Sequence, residues 1–207
     1  MTTLQVAQCD RAAARYAVEH WHYSRRLPSG TLWLRGVWED QSYRGCVIFS
    51  RGANRHMGSP YGLDVTQLAE LTRVALRSHV HPVTQILAAA IRDLHRGSPG
   101  LRLLVSHADP AQGHHGGIYQ AGGWTYVGDT TPQAEFVIGG VQLHKRTVSG
   151  RGWRASLTWL REHVDPNAEL VIPPVKHVYL YPLDRAMRRQ IRPLAQTPPQ
   201  SYPDCAA

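Results

Sequence analysis

An amphipathic helix followed directly by an apolar strand is the feature that most constrains the fold. Residues 81–100, "HPVTQILAAAIRDLHRGSPG", repeat apolar side chains with helical spacing. Pro82 suits a first helical turn, and Gly97 suits a C-terminal cap. Residues 101–110, "LRLLVSHADP", are typical of a buried strand that ends in polar residues. Because a helix of this length joins parallel strands, the sequence predicts an α/β domain around a strand–helix–strand crossover.

The segments around this crossover predict further strands and helices. Asp10 is the expected cap of a helix over residues 10–20. "TLWLRGVWED" and "YRGCVIFSRG" predict a hairpin with a polar turn at residues 40–42. "QLAELTRVALRS", residues 67–78, fits a strand or a helix by its period. We also expect a short helix near His115 and more strand over residues 124–140.

Positive charge is concentrated towards the C-terminus. The formal net charge of the 207 residues is +8, and from residue 144 on there are ten Lys or Arg against five acids. A polyanion is therefore the first partner to consider. The length suits one main domain. We expect a catalytic domain over residues 1–143, a basic extension packed on it over residues 144–195 and a flexible tail over residues 196–207.

The cysteines and the hydropathy of the chain indicate its cellular compartment. Cys9, Cys46 and Cys205 are isolated and odd in number, so they predict neither a disulfide framework nor a paired-cysteine metal site. No apolar run is long enough to span a bilayer. We expect an intracellular protein without a membrane partner.

Polar residues at the ends of two predicted strands are candidate catalytic groups. Ligands of α/β sheets bind beyond the C-terminal strand ends, which places Ser106, His107 and Asp109 at the mouth of a site. Glu70 and Arg73, on the preceding strand, offer a base and a substrate contact, or else a structural ion pair. We rank Asp109 above Glu70 as the group that accepts from or orients an amine.

A glycine-rich stretch, "GHHGGIYQAGGW" at residues 113–124, follows the strand. His114, His115, Gly116 and Gly117 are candidate substrate contacts, because glycines permit close backbone approach and a helix start directs N–H groups at an anion. The alternative is an ordinary loop capping the sheet. Adjacent histidines point in different directions, so they do not share one metal ion easily.

The stretch "HWHYSRR", residues 20–26, combines aromatic rings, a hydroxyl and two arginines. These groups suit an extruded base and its phosphates. On this interpretation His20, His22, Tyr23, Ser24 and Arg25 are candidate substrate contacts, and Arg26 is a candidate DNA contact. The alternative is a helix end with core aromatics and solvated arginines.

Two further interpretations concern metal binding and base stacking. His20 and His22, with Glu19, offer a nitrogen and oxygen set suited to iron or zinc, against the alternative of solvated or core imidazoles. The metal therefore stays unknown, with iron as one candidate. Tyr61 is a further stacking candidate or, equally, a turn anchor.

A basic helix is predicted near the C-terminus, in "LDRAMRRQIRPL" at residues 183–194. Four arginines share one helical face, and apolar residues occupy the other. Phosphate contact is favoured over a solvated basic face for Arg185, Arg188, Arg189 and Arg192.

Several separated motifs resemble the Mom family of bacteriophage DNA-modification proteins. They are "EHWHYSRRLP", "GVWED", "YGLD", "ELTRVALR", "ADPAQGHHGGIYQAGGW" and "YPLDRAMRRQI". The resemblance implies a GNAT-like acyltransferase fold, with a mixed sheet flanked by helices. It also implies an enzyme that converts the N6 amine of adenine in double-stranded DNA to a carbamoylmethyl-amino group, protecting phage DNA from restriction in the bacterial cytoplasm. Tyr119 then matches the general acid of GNAT proteins.

The donor of the transferred group has two candidates. GNAT proteins bind the pyrophosphate of acyl-CoA with spaced glycines ahead of the long helix, but "RSHVHPVTQ", residues 77–85, has none. The donor is therefore acyl-CoA or an activated glycine such as glycyl-tRNA, which would make a charged tRNA a partner. Two other functions stay open. They are a conventional GNAT N-acyltransferase acting on a protein or small-molecule amine, and a non-catalytic DNA-binding module.

Overall fold

The computed structural model describes residues 2–52 and 54–200, which form ten strands and six α-helices. The strands are β1 Leu4–Gln8, β2 Leu32–Glu39, β3 Ser42–Ser50, β4 Leu68–Leu76, β5 Leu103–Ala108, β6 Thr125–Asp129, β7 Glu135–Ile138, β8 Val141–Leu143, β9 Glu169–Val171 and β10 His177–Pro182. The helices are α1 Arg11–Trp21, α2 Val83–Gly97, α3 Gly117–Ala121, α4 Lys145–Gly150, α5 Leu157–His163 and α6 Arg185–Ile191.

The chain forms two compact units. The first contains the described residues up to 108, residues 115–128 and the described residues from 177 on. The second contains residues 109–114 and 129–176. The boundary expected at residue 143 falls inside the second unit, because β7 and β8 share a core with α4 and α5. The expected C-terminal extension is likewise divided, because β10 is a strand of the first unit's sheet.

The first unit is a seven-stranded mixed sheet in the order β1-β2-β3-β4-β5-β10-β6. The β4–β5 pair is parallel, whereas β1–β2, β2–β3, β3–β4 and β5–β10 are antiparallel. Helix α2 connects the parallel pair, as the crossover pattern predicts. The expected mixed sheet flanked by helices is confirmed.

Each face of this sheet buries its own set of helices. Side chains alternate along each strand, so neighbouring residues belong to opposite faces. Leu104 and Tyr179 pack in the cluster that contains α2 and Tyr119 of α3. Leu103 and Leu180 pack in the cluster of α6. Cys46 and Ile48 of β3 pack against α1 on the same side as α6. We call these the α2/α3 face and the α1/α6 face.

Local signals explain most of the predicted elements. The Asp10 side chain accepts the N–H of Ala13 at 2.7 Å and caps α1. Asp40 and Gln41 have φ values of 48° and 64° and form the predicted hairpin turn. Gly97 differs from expectation, since it is the last residue of α2 and Ser98 is the cap. Strand β1 was not predicted, because its five residues bury little.

The tail and the cysteines are partly described. Gln196 donates its backbone N–H to the Tyr126 carbonyl at 2.9 Å, so the expected flexible tail begins as chain held against β6. Residues 201–207, with Cys205, lie outside the described part. Cys9 and Cys46 are free thiols. Burial raises the pKa of Cys9 to about 11 and that of Cys46 to about 12.

A fully buried carboxylate closes the turn before α2. The Glu39 side chain, at the end of β2, is 0% exposed and accepts the N–H of Val80 at 2.9 Å and that of His81 at 2.7 Å. His81 Nδ1 lies 2.8 Å and Arg44 Nε 3.3 Å from the same carboxylate. Burial alone raises the pKa of Glu39, but the His81 and Val80 donors outweigh it and lower the pKa to about 2.

We expect Glu39 to make stability depend on pH. Its folded-state pKa is depressed, so the stabilisation is complete above the ordinary value of 4.5 and is lost as pH falls towards about 2. Glu39→Gln should lower the free energy of unfolding at pH 7 by about 1–3 kcal/mol, because a buried hydrogen-bonded anion is removed. Urea unfolding of both proteins at pH 7 and pH 3 should show this difference shrinking in acid.

Glu162→Gln is the matched control, because the Glu162 side chain is 63% exposed. A Glu39→Gln deficit of the same size at both pH values would contradict this account of the turn.

Candidate active site where the central strands part

The two parallel strands separate at Ser106. Their register runs from Leu68 opposite Leu103 to Leu71 opposite Ser106, and no pair follows it although both strands continue. Ser106 Oγ donates to the Leu71 carbonyl at 2.9 Å, which satisfies an acceptor at the end of the ladder. The gap therefore opens at the C-terminal ends of these strands, where α/β sheets bind ligands.

Tyr119 reaches this point from α3. Its Oη lies 2.7 Å from Ser106 Oγ, so the two predicted catalytic groups are brought together. The Tyr119 ring is 8% exposed and packs 5.2 Å from Trp124 and 5.1 Å from Tyr179, between ring centroids. Burial is the largest cause that raises the pKa of Tyr119, to about 12. The phenol therefore carries its proton at neutral pH.

Gly116 lets α3 approach β10. Its φ is +81°, and a Cβ there would lie 2.3 Å from Tyr179 Oη. Tyr179 Oη in turn donates to the His115 carbonyl at 3.3 Å. Helix α3 begins at Gly117, two residues after the expected start. The glycines thus place Tyr119, and His115 contributes its backbone carbonyl.

A second polar pair lies on the α1/α6 face. His107 Nδ1 is 3.0 Å from Glu70 Oε1, and both side chains are about a quarter exposed or less, at 24% and 20%. The sequence placed His107 at the mouth of the site without giving it a chemical role. Its signal was the alternation in "SHAD", which sends Ser106 to one face and His107 to the other.

A β-bulge places Arg73 on the same face as Glu70. Ile48 pairs with Arg73 and Phe49 with Leu71, so Thr72 is the extra residue. Glu70 pairs with His107 and not with Arg73, so the alternative of a Glu70–Arg73 ion pair is wrong. Arg73 Nη1 donates to the Thr72 carbonyl at 2.7 Å. Within residues 2–52 and 54–200, buried Arg73 Nε has no hydrogen-bond partner.

Asp109 belongs to the second unit. Its carboxylate lies 2.8 Å from Lys176 Nζ and accepts the Ala111 N–H at 3.1 Å. These contacts occupy Asp109 with a cation and a turn, so they favour Glu70 over Asp109 as the carboxylate that serves the reaction. His114 is exposed and donates its backbone N–H to the Asp109 carbonyl at 3.1 Å within this unit.

The "HWHYSRR" stretch ends α1 and continues into a loop. Trp21 packs partly in the core, whereas Tyr23 is 53% exposed. Ser24 donates its N–H to His22 Nδ1 at 3.1 Å. The Arg25 guanidinium donates to the Glu19 carbonyl, and Arg26 is exposed. Core and exposed roles are thus divided within the stretch.

The described residues do not assemble the suggested iron or zinc site. His20 stacks on Tyr16 with ring centroids 4.1 Å apart, and its Nδ1 bonds to the Tyr16 carbonyl. No group of three or more His, Cys, Asp or Glu in the described chain is arranged to hold a metal ion. Within residues 2–52 and 54–200, His20, His22 and Glu19 therefore do not form a site that fits this metal.

Helix α6 has the predicted two-sided character. Met187 and Ile191 are buried, and Asp184 caps the helix by accepting the Met187 N–H at 2.7 Å. The four predicted arginines are exposed, namely Arg185, Arg188, Arg189 and Arg192. Tyr61 packs against the same cluster, and its carbonyl accepts from Gln190 at 2.7 Å. These contacts match the turn-anchor interpretation of Tyr61.

Comparison with known proteins gives one family. The model of the Mom protein family matches residues 3–204. No curated protein matches the sequence. In the part of the chain that the structure describes, no helix is both long and apolar enough to cross a membrane.

Solved structures of similar shape share little sequence. An N-acyl amino acid synthase from uncultured soil microbes has a TM-score of 0.48 and 13% identity, over 92% of this chain and 94% of that one. An acetyltransferase from Thermus thermophilus has a TM-score of 0.44 and 14% identity, over 87% of this chain and 97% of that one. A Salmonella typhimurium protein described as an acetyltransferase was solved with acetyl-CoA. It has a TM-score of 0.45 and 13% identity, over 88% of this chain and 95% of that one. These likenesses are too distant to carry an argument about activity.

We expect the Tyr119 phenol to resist ionisation. Because burial raises its pKa to about 12, the tyrosinate absorbance of wild type and Tyr119→Phe should differ by one residue only above about pH 11. A full one-residue difference already present at pH 10 would contradict the buried, hydrogen-bonded geometry.

Proposed function

This chain belongs to the Mom protein family, and we propose that it is a transferase acting on the N6 amine of adenine in double-stranded DNA. The product proposed is a carbamoylmethyl-amino group, which hides phage DNA from restriction nucleases in the bacterial cytoplasm. The observation that carries the proposal is the Tyr119–Ser106 pair at the point where β4 and β5 part. It supplies a proton donor beside a gap that is open at the strand ends.

Tyr119 acts as the general acid. The adenine N6 lone pair attacks the carbonyl carbon of an activated acyl group, the bond to the leaving atom breaks, and the leaving atom takes the Tyr119 proton. A phenol with a pKa of about 12 is a weaker acid than a thiol, whose pKa is about 8.5. It therefore gains little by protonating a thiolate, but it matches the more basic alkoxide of an oxygen ester.

The turn before α2 also favours an oxygen ester over acyl-CoA. An incoming pyrophosphate would need backbone N–H groups in this turn, and Glu39 already accepts those of Val80 and His81. The Glu39 charge is buried and ionised, so it opposes a second anion there. Glycine esterified to tRNA is the activated acyl group that we propose.

A glycyl group also accounts for the final product without a redox step. Transfer first yields N6-glycyl-adenine. The free glycyl amine then attacks ring carbon C6 through a five-membered spiro intermediate, and the original C6–N6 bond breaks. The glycine nitrogen becomes the ring-attached nitrogen, and the original N6 becomes the carboxamide nitrogen. No atom or electron has to be supplied from outside.

DNA contact is proposed for the arginine face of α6 and the Tyr23 loop. Helix α6 packs on the face of the sheet that carries Glu70, and Arg188 and Arg189 project outwards from it. Exposed arginines form charge-assisted hydrogen bonds with phosphates, and an exposed ring such as Tyr23 suits stacking on a flipped base.

The donor is tested by reconstitution. Purified protein and duplex DNA receive either [14C]glycyl-tRNA or [14C]acetyl-CoA. We expect label in DNA from glycyl-tRNA alone, with Tyr119→Phe slowing it about 10²- to 10⁴-fold through loss of the acid. Label from acetyl-CoA would overturn the proposed donor, and Tyr119→Phe with full activity would overturn the role of the phenol.

The DNA surface is tested with paired variants. Replacing Arg188 and Arg189 by Ala should weaken binding to every duplex sequence and flatten the dependence of log K on log salt by about 1 for each phosphate that is no longer neutralised. Arg92 and Arg96, which are exposed on α2 at the opposite face, provide the matched double variant. Equal binding by the two double variants in a fluorescence anisotropy titration would refute the α6 contact.

A further inference from the structure

We propose that His107, held by Glu70, is the general base that removes the proton from the adenine N6 amine. This inference rests on the proposed function and names a catalytic residue that sequence reasoning left without a role. Its starting observation is the 3.0 Å contact between His107 Nδ1 and Glu70 Oε1 on two neighbouring strands.

The carboxylate selects the tautomer of the imidazole. An ionised carboxylate only accepts hydrogen bonds, so His107 Nδ1 must carry a hydrogen to bond to Glu70. In the neutral ring the lone pair then lies on Nε2. The proton that Nε2 takes up creates an imidazolium directly beside the Glu70 charge, which stabilises it. This is the arrangement in which a carboxylate orients a histidine base.

The pair is accessible but held. His107 is 24% and Glu70 20% exposed by side chain, so a substrate can reach the ring while the surrounding strands fix it. Glu70 lies on β4 in register with Val105, the residue two before His107 on β5. A Cβ added to Gly52 would lie 3.2 Å from Glu70 Oε2, so the absence of a side chain there leaves room for the carboxylate.

The acid and the base lie on opposite faces of the sheet. Ser106, which bonds to Tyr119, and His107 are consecutive on β5 and therefore point to opposite sides. Strands β4 and β5 are no longer paired beyond Leu71 and Ser106, so a carbonyl carbon in the gap is open to both faces. The two sites also interact electrostatically. Burial is the main cause of the raised pKa of Tyr119, and the charge of Glu70 adds to it.

This placement gives each substrate one side. The adenine amine approaches from the α1/α6 face, where His107, Arg73 and the arginines of α6 lie. The leaving oxygen of the ester departs on the α2/α3 face, where Tyr119 lies. In the transfer, the N6–carbon bond forms as His107 Nε2 takes the N6 proton, and the carbon–oxygen bond breaks as Tyr119 gives its proton to oxygen. Return of one proton from His107 to Tyr119 through solvent restores both groups.

The test uses clarified extract of bacteria expressing the protein, which contains every host donor, with added duplex DNA. The modified adenosine is measured over time by mass spectrometry of the digested DNA. We expect His107→Ala to slow its formation about 10²- to 10⁴-fold, as loss of a general base does. Added imidazole should restore part of the rate to His107→Ala and leave wild type unchanged, because a free base can occupy the vacated space.

Controls separate catalysis from folding and from the proposed function. His163→Ala, on an exposed α5 side chain of the second unit, should retain the wild-type rate. Glu70→Gln keeps an acceptor for Nδ1 without the charge, so it should slow the reaction less than His107→Ala does and leave DNA affinity unchanged. His107→Ala should keep the circular dichroism spectrum of wild type.

The outcomes are distinct. If wild type forms the modified adenosine and His107→Ala is equally active, the assignment of His107 as the base is wrong and the proposed function stands. Loss of activity in a folded His107→Ala that imidazole does not restore also overturns it, since the residue is then structural. Absence of modified adenosine with wild type contradicts the proposed function itself, and with it the assignment of His107 as the base.

Discussion

The hydrogen bond from Ser106 to the Leu71 carbonyl is the interaction on which the site depends. It ends the parallel ladder after Leu71, so β4 and β5 diverge with their last acceptor satisfied. The same Ser106 oxygen holds the Tyr119 phenol at 2.7 Å, which ties the short helix α3 to the gap. One buried hydroxyl therefore sets where the sheet opens and where the proton donor stands.

The two faces of the sheet divide the proposed chemistry. On the α2/α3 face lie the buried phenol and the turn that Glu39 closes. On the α1/α6 face lie the Glu70–His107 pair and the arginine helix. In our proposal the DNA duplex lies along the second face, while the glycyl ester of the tRNA enters the gap from the first. The buried Glu39 makes the turn a structural element, and our proposal of an oxygen-ester donor rests partly on this.

Local periodicity was sufficient to predict α2, α6, the β2–β3 hairpin and the crossover. These elements depend on spacing and caps within about twenty residues, as with Asp10 for α1. Long-range pairing was not predictable in this way. The insertion of β10 between β5 and β6 depends on which strands meet, and the contact of Glu39 with His81 joins residues 42 positions apart.

The candidate site was predicted in part for the same reason. Tyr119 and Ser106 were singled out by family motif and strand end, and the structure joins them. The Thr72 bulge has no clear sequence signal, yet it turns Arg73 to the face of Glu70. His107 was placed at the mouth of the site, but its pairing with Glu70 was not predicted because Glu70 lies on another strand. The central claim is adenine modification that depends on Tyr119, and nucleoside mass spectrometry of plasmid DNA from expressing bacteria tests it most directly. We predict a carbamoylmethyl-adenosine species with wild type that falls about 10²-fold or more with Tyr119→Phe, whereas unmodified DNA beside folded wild-type protein would contradict the account.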